Sequence, residues 1–248
     1  MGRSHHHRFF VPPEEIRDGT VRLSAAQAHQ IARVLRLKPG DPIRVFDGTG
    51  REIRAELVTA APSSALARAV EEWTHPAGPG IRITLAQVAP RGSHMDLIVA
   101  KATELGVARI ALLETAHSVQ RGTGRLERWR RIAAEAAEQC GRSEIPALAI
   151  MGGLAPFLAS HPPAEPMLLL DAGAEAAPLP AVCGELAGAA ALSLLVGSEG
   201  GFDPEEVARC RIAGARLAWL GPRLLRSETA ALAALAVIQA TLGDGALR

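Results

Sequence analysis

Residues 194–207, "LLVGSEGGFDPEEV", set three glycines and one carboxylate, Glu199, between an apolar run and an acid-proline pair. The run Leu192 to Val196 has the length and residue types of a strand buried on both faces. Asp203, Pro204 and Glu206 read as the N-cap, first residue and N3 acid of a helix. At the carboxyl end of a strand in an open α/β sheet, such glycines let backbone N–H and C=O groups approach a ligand. An ordinary tight βα turn has the same look. Phosphate cradling is disfavoured, because Phe202-Asp203 stand where a P-loop needs Lys and Ser/Thr. The spacing Gly197, Gly200, Gly201 fails the dinucleotide fingerprint, and Ser198 lies one place early for a nucleophile elbow.

A second junction of the same kind is "LAWLGPRLLRSETAALAALAVIQ", residues 217–239: strand, Gly-Pro loop, helix. Arg226 enters that helix, and the N–H groups around Ser227 to Thr229 add positive potential at its start. The helix is apolar all round from Ala230 to Ile238, which implies burial on every side, partly against another subunit.

The elements that must position these loops follow a change of pattern along the chain. From residue 8 to about 74 the sequence is strand-rich, at "RFFV", "PIRVFDG", "REIRAELV" and "ALARAVEEW", with a turn signal at Asp47-Gly48-Thr49-Gly50. Ser24 can cap a helix that Lys38-Pro39-Gly40 ends. This describes a small barrel-like domain over residues 1–74, followed by a linker at 75–80, "HPAGPG". Over residues 81–248 strands near 81–88, 108–114, 147–151, 167–171, 191–196 and 215–220 alternate with helices. Alternation of this kind indicates a mostly parallel, doubly wound sheet. Ser93 and Asp203 mark helix starts, and Gly106 closes "SHMDLIVAKATELG" in the C′ position.

Composition narrows the function classes. At 48% hydrophobic content the 248 residues can bury a full core. The N-terminus "MGRSHHHRFF" carries no signal-peptide pattern and no convincing membrane span occurs, so the expected location is the cytoplasm. Cys140, Cys183 and Cys210 form no CxxC pair and are expected in the core, and His5 to His7 read as a solvated terminus; no metal site is expected. Net charge is only +1 but unevenly spread: residues 143–208 contain no Lys or Arg, whereas ten of the first 54 residues are basic against six acids. Nearly all the cations are Arg, whose planar fork suits bidentate phosphate contact.

The two glycine-bearing junctions together resemble the C-terminal motifs of SPOUT-class methyltransferases. "KATELGV" (101–107), "ERWRRIAAEAAEQCGRSEIP" (127–146), "RFFV" and "HQIARVLRL" are similar to segments of the RsmE family, in the expected order from about residue 8 to 240. The resemblance implies an N-terminal PUA-like β-barrel and a C-terminal SPOUT-type α/β domain with a deep trefoil knot. Its implied activity is S-adenosylmethionine-dependent methylation of N3 of a uridine in the decoding region of 16S rRNA, within the small ribosomal subunit or its precursor, by a homodimer. Ser198 replaces the family's usual Pro, and Pro222 stands where a charged residue is common.

Residue by residue, the resemblance carries cofactor contacts onto Leu170, Gly197, Glu199, Gly200, Gly201, Leu220, Gly221, Leu225, Arg226, Ser227 and Thr229. For Leu220 and Leu225, core packing is an equal reading. Uridine N3 must lose its proton, which calls for a base or a cation that stabilises the uridinate; Arg226 is the candidate stabiliser and Glu199 the candidate base, with a solvated loop acid the simpler reading of Glu199. Expected RNA contacts are Arg8, Arg33, Arg36 and Arg44 in the first domain and Arg91, Lys101 and Arg142 beyond it. Glu138, Gln139 and Arg142 share the polar side of a helix with an apolar stripe at Trp129, Ile132, Ala133, Ala136 and Cys140. Two other readings stand beside this one: a SPOUT enzyme acting on another RNA, and a non-catalytic ribosome-assembly factor.

Overall fold

A computed structural model describes residues 7–74, 80–90, 94–113, 124–173 and 175–243. Arg91, Ser93, His5, His6 and linker residues 75–79 lie outside these. The chain divides into two compact units, residues 1–77 with 137–145, and residues 78–136 with 146–248.

The first unit is a six-stranded sheet of order β1-β4-β5-β6-β3-β2. Its strands are Arg8–Phe10 (β1), Ile16–Arg17 (β2), Thr20–Leu23 (β3), Pro42–Phe46 (β4), Arg51–Ala61 (β5) and Ser64–Thr74 (β6). β1 runs parallel to β4 and the other pairs are antiparallel. Sequence patterning finds β1, β4, β5 and β6 and misses β2 and β3: β2 has only two residues, and the alternation of β3, with Val21 and Leu23 buried, runs for only four. Register shifts at Arg54/Ala55 and Leu57/Thr59 interrupt the long β5–β6 hairpin, and such bulges sharpen a sheet's twist around its core. That core includes Phe9, Val21, Ile43, Val45, Ile53 and Leu57, with Ile31 from the helical segment between β3 and β4.

That segment opens with the predicted cap. Ser24 accepts from Gln27 N while the Gln27 side chain accepts from Ser24 N, a full capping box. Its end differs from expectation. The α-helical turn Ala25–His29 (α1) widens into a π-helix over Gln30–Leu35 and stops at Arg36, whose φ is +56°. Lys38-Pro39-Gly40 lies just beyond, as the turn into β4.

Arg8 is the organising cation of this unit. Its guanidinium donates to Ala137 O at 3.0 Å, to Arg142 O at 2.7 Å and to Ser143 Oγ at 3.1 Å. It also pairs with Glu52 at 3.4 Å and lies 3.8 Å from the Phe46 ring centroid. The Ala137 carbonyl also accepts from Gly141 N and Arg142 N, and a guanidinium at this helix end complements the dipole. Burial pulls the Arg8 pKa down, against the attraction of Glu52. Burial alone would raise the Glu52 carboxyl, but Ser143, Arg8 and Arg44 together hold it below the usual carboxylate range. The expected free phosphate contact at Arg8 is therefore replaced by a buried structural pair.

The second unit is a seven-stranded sheet, all its pairings parallel, of order β11-β13-β10-β12-β7-β8-β9. The strands are Arg82–Val88 (β7), Arg109–Leu113 (β8), Ala147–Ile150 (β9), Met167–Leu170 (β10), Ala177–Pro178 (β11), Ala191–Val196 (β12) and Arg216–Trp219 (β13). Six match the expected strands; β11, two residues containing a proline, carries no periodic signal. The helices are His94–Glu104 (α2), Gly124–Cys140 (α3), Leu154–Ser160 (α4), Leu179–Gly184 (α5), Pro204–Ile212 (α6) and Ser227–Leu242 (α7). Gly106, at φ +84°, ends α2 with Gly106 N bonded to Thr103 O and Val107 N to Ala102 O, the Schellman pattern that only a left-handed residue permits.

Two helix predictions need correction. Cys140 is exposed, because it is the last residue of α3; Ala137, one place round the helix, is fully buried in its stead. Glu138, expected on a solvated face, is half-buried and accepts a hydrogen bond from Phe10 N at 3.2 Å. Cys183 and Cys210 are in the core as expected, and burial, then Glu206, push the Cys210 thiol up to about 11. Glu52→Ala should destabilise the protein by roughly 3 kcal/mol, since removing one partner strands the Arg8 charge in a site only 12% exposed. A urea titration would show this as a lower midpoint.

Candidate active site

Asp203 heads α6 as the sequence indicates: its carboxylate accepts from Glu206 N at 2.8 Å, its own N–H donates to Glu206 Oε2 at 3.0 Å, and Pro204 takes the first helical position. The capping box stops the chain between β12 and α6 from unravelling into the helix. Within that loop Gly201 N donates to Ser198 O at 2.9 Å, closing residues 198–201 into a turn. A Cβ on Gly197 would lie 2.8 Å from Gly201 C and 2.9 Å from its Cα, so the tight fold-back leaves no room for a side chain. Gly201 is different: the space before it is open, and its φ of +70° is what favours glycine. Gly200 meets neither restriction.

β10 lies between β12 and β13, so the chain segments leaving these three strands come together at one edge of the sheet. They enclose a cavity of ≈ 420 Å³, lined by Leu170, Asp171 and Ala172 after β10, by Val196 to Phe202 after β12, and by Ala218 to Gly221 after β13. Arg223, Leu224, Leu225, Ser227 and Ala230 complete the wall. Of the predicted cofactor contacts, Leu170, Gly197, Glu199, Gly200, Gly201, Leu220, Gly221, Leu225 and Ser227 are brought together here. Arg226 and Thr229 are exposed at the start of α7 and do not line the cavity.

Several lining residues escape sequence reasoning. Asp171 follows the apolar run "MLLL" and offers a second carboxylate beside Glu199; an acid directly after a parallel strand is the signal that could have found it. Trp219 and Phe202 supply aromatic surface, and Arg223 a cation with no ion pair among the described residues. The walls suit a ligand with an apolar, planar part held by backbone groups and a polar end met by carboxylates.

The family described as RNA methyltransferase domain matches residues 78–239, and the one described as RNA methyltransferase PUA domain matches residues 23–70. Ribosomal RNA small subunit methyltransferase E of Synechocystis is 36% identical over 239 residues, covering 95% of this chain and 78% of the relative. The chain belongs to the ribosomal RNA small subunit methyltransferase E family. Its Bacillus subtilis member is 29% identical over 88% of this chain and 89% of the relative. The crystal structure of the Neisseria gonorrhoeae member bound to S-adenosylmethionine superposes with a TM-score of 0.85, at 33% identity over 97% of this chain and 99% of that one.

The expected RNA contacts are differently placed. Arg33 and Arg36 are exposed on and just after the π-helix. Arg44 pairs with Glu52 at 3.5 Å and lies 5.4 Å from the Trp73 ring centroid. Arg142 is half-buried, its carbonyl held by Arg8. In the second unit Lys101 is exposed and pairs with Glu104 at 2.7 Å on its own helix.

Gly197→Ala should weaken binding of S-adenosylmethionine about tenfold or more, because the 198–201 turn has to open to admit the methyl group. Gly200→Ala should be tolerated within about threefold. Isothermal titration of both variants checks the contrast, which a ligand bound elsewhere would not produce.

Proposed function

We propose that the chain transfers the methyl group of S-adenosylmethionine to N3 of a uridine in 16S rRNA. The observation that carries this reading is the glycine-walled cavity enclosed by the segments after β10, β12 and β13. The fit with the cofactor rests on the donor set: close-approaching backbone at Gly200, Gly201 and Gly221, apolar sides at Leu170, Leu220 and Leu225, and two carboxylates for the charged or hydroxylated parts. The cofactor, when bound, supplies an electrophilic methyl group.

The chain's own work is alignment and charge. Positioning sulfur, methyl and nitrogen in line supplies a large share of the acceleration without any covalent nucleophile. Arg226, exposed at the N-cap of α7, and the free N–H groups of that helix's first turn put positive potential where uridinate develops. Glu199 and Asp171 at the cavity wall are the candidate proton acceptors. Neither sulfur nor nitrogen chemistry here asks for a metal.

In the first domain, proposed at residues 1–74 with the linker at 75–80 and the catalytic domain at 81–248, the exposed Arg33 and Arg36 carry the phosphate contacts, and Arg44 is proposed to add to them. Arg8 is left out of that set. Arg91, Lys101 and Arg142 are proposed to meet the RNA as well. The strand order β13-β10-β12 supports the knotted crossing of this family, in which α7 follows the segment after β13. α7 packs on α2, α5 and β12 yet keeps Ala236 and Ala240 exposed and Leu232, Ala233 and Val237 only part-covered; this apolar strip supports a homodimer. No helix among the described residues is long and apolar enough to span a membrane, and a ribosomal substrate supports a cytoplasmic site of action.

Nucleoside mass spectrometry of rRNA from a strain lacking the gene should show loss of the N3-methylated uridine, and purified protein with S-adenosylmethionine should restore it on small subunits. Methylation of another base or of another RNA would replace the substrate assignment, and no methylation with intact RNA binding would favour an assembly factor. Arg226→Ala should lower the single-turnover rate at saturating RNA by roughly a hundredfold, with Arg226→Lys recovering only part. A loss confined to RNA affinity would return Arg226 to phosphate binding. Light scattering at micromolar concentration should give the dimer mass.

A further inference from the structure

Gln87 is fully buried, in a register position that an ordinary sheet fills with Val or Leu. It follows Ile83 and Leu85 on the same face of β7 and pairs with Val196 on β12 and Leu112 on β8. A buried amide is costly unless bonded. Its Nε2 donates to Val88 O at 2.8 Å and to Ser227 Oγ at 3.0 Å, with the carbonyls of Val196 and Gly197 farther off at 3.4 and 3.5 Å. Ser227, also buried, donates its hydroxyl to Gly197 O at 2.6 Å. The Gln87 Oε1 atom has no hydrogen-bond partner among the described residues.

The location explains the expense. Past Val196 the β12–β7 ladder ends, so the Gly197 carbonyl has no strand partner to satisfy it. β13, whose loop leads to α7, is not a neighbour of β12, because β10 lies between them. The two loops therefore have no ladder in common, and the Ser227 hydroxyl joins them directly. Gln87 holds that hydroxyl's proton on the Gly197 side by occupying its acceptor face.

We propose that Gln87 is a positioning residue for the methyl-transfer reaction: through Ser227 it locks the glycine loop after β12 to the first turn of α7 and so sets the cavity to accept S-adenosylmethionine. This rests on reading that cavity as the cofactor site. Gln87 is not among the residues that line the cavity, so its effect falls on the affinity of the cofactor through Ser227.

The test titrates S-adenosylmethionine and S-adenosylhomocysteine into Gln87→Leu, Ser227→Ala, their double variant and Ser227→Thr, with RNA affinity and the ligand-free melting temperature measured alongside. Gln87→Leu and Ser227→Ala should each weaken both ligands about tenfold, and the double variant should be no worse than the weaker single, since one relay is broken in each case. RNA affinity should stay unchanged. The melting temperature should move little in Gln87→Leu, where loss of the unpaired oxygen offsets loss of the amide bonds. Ser227→Thr, which keeps the hydroxyl, should restore most of the affinity. Wild-type affinity in Gln87→Leu, a double variant that multiplies the two losses, or an equal loss of RNA binding would each overturn the proposal. Should Gln87→Leu fail to fold, the Ser227 pair decides alone: equal affinities for Ala and Thr refute the relay. Gly200→Leu runs in parallel, because a side chain there enters open space on the cavity wall. If it leaves cofactor affinity intact, the cavity assignment itself is at fault; if it abolishes binding while Gln87→Leu does not, only the role of Gln87 fails.

Discussion

Parallel pairing of β10 between β12 and β13 is the constraint on which the site depends. Strands that run the same way end their ladders at one edge, and the loops leaving that edge have unpaired backbone groups free to meet a ligand. Three segments that start at residues 171, 197 and 220 thus share one cavity although the sequence separates them. The strand order also leaves the outer two loops without a common ladder. Polar side chains have to tie them, and buried Gln87 and Ser227 occupy the place where such a tie forms.

A comparable economy of partners governs the first unit. Arg8 meets the Ala137 carbonyl in the last turn of α3, the Arg142 carbonyl just past it, the Ser143 hydroxyl and the Glu52 carboxylate, so one buried cation joins groups from three separate stretches of the chain. The surface presents a different picture. Across the β5–β6 hairpin Arg51 pairs with Glu72, Arg54 with Glu71 and Arg68 with Glu56, so most of that basic charge is neutralised in place. Exposed pairs of this kind contribute little stability, but they withdraw cations from long-range attraction. The basic excess of the first 54 residues is consequently concentrated at the π-helical segment, where Arg33 and Arg36 stand exposed.

Local signals in the sequence were sufficient for most of the longer elements and for several of their ends. Ser24 and Asp203 build the capping boxes their spacing promises, and Gly106 takes the left-handed position that closes α2. Six strands of the second sheet stand within a residue or two of their apolar runs, because burial on both faces demands uninterrupted apolar side chains. The glycine loop and the Leu-Gly loop were legible as a site by the same logic, and their combination pointed to the family. Each of these features depends on residues within a few places of one another.

Tertiary contact decided the rest. Arg8 and Arg33 look alike in a sequence, yet one is folded against a helix end 129 residues away and the other faces solvent. Cys140 and Ala137 differ only in which lies on the last inward turn of α3. Asp171, Trp219 and Arg223 join the cavity because β10 and β13 are neighbours, which no local pattern states. Gln87 reads as an interruption in a hydrophobic strand until its partner, 140 positions along, is folded onto it. The physical reason is one of range: capping, turns and periodicity are satisfied by near neighbours, whereas the partner of a buried polar group is chosen by the whole fold.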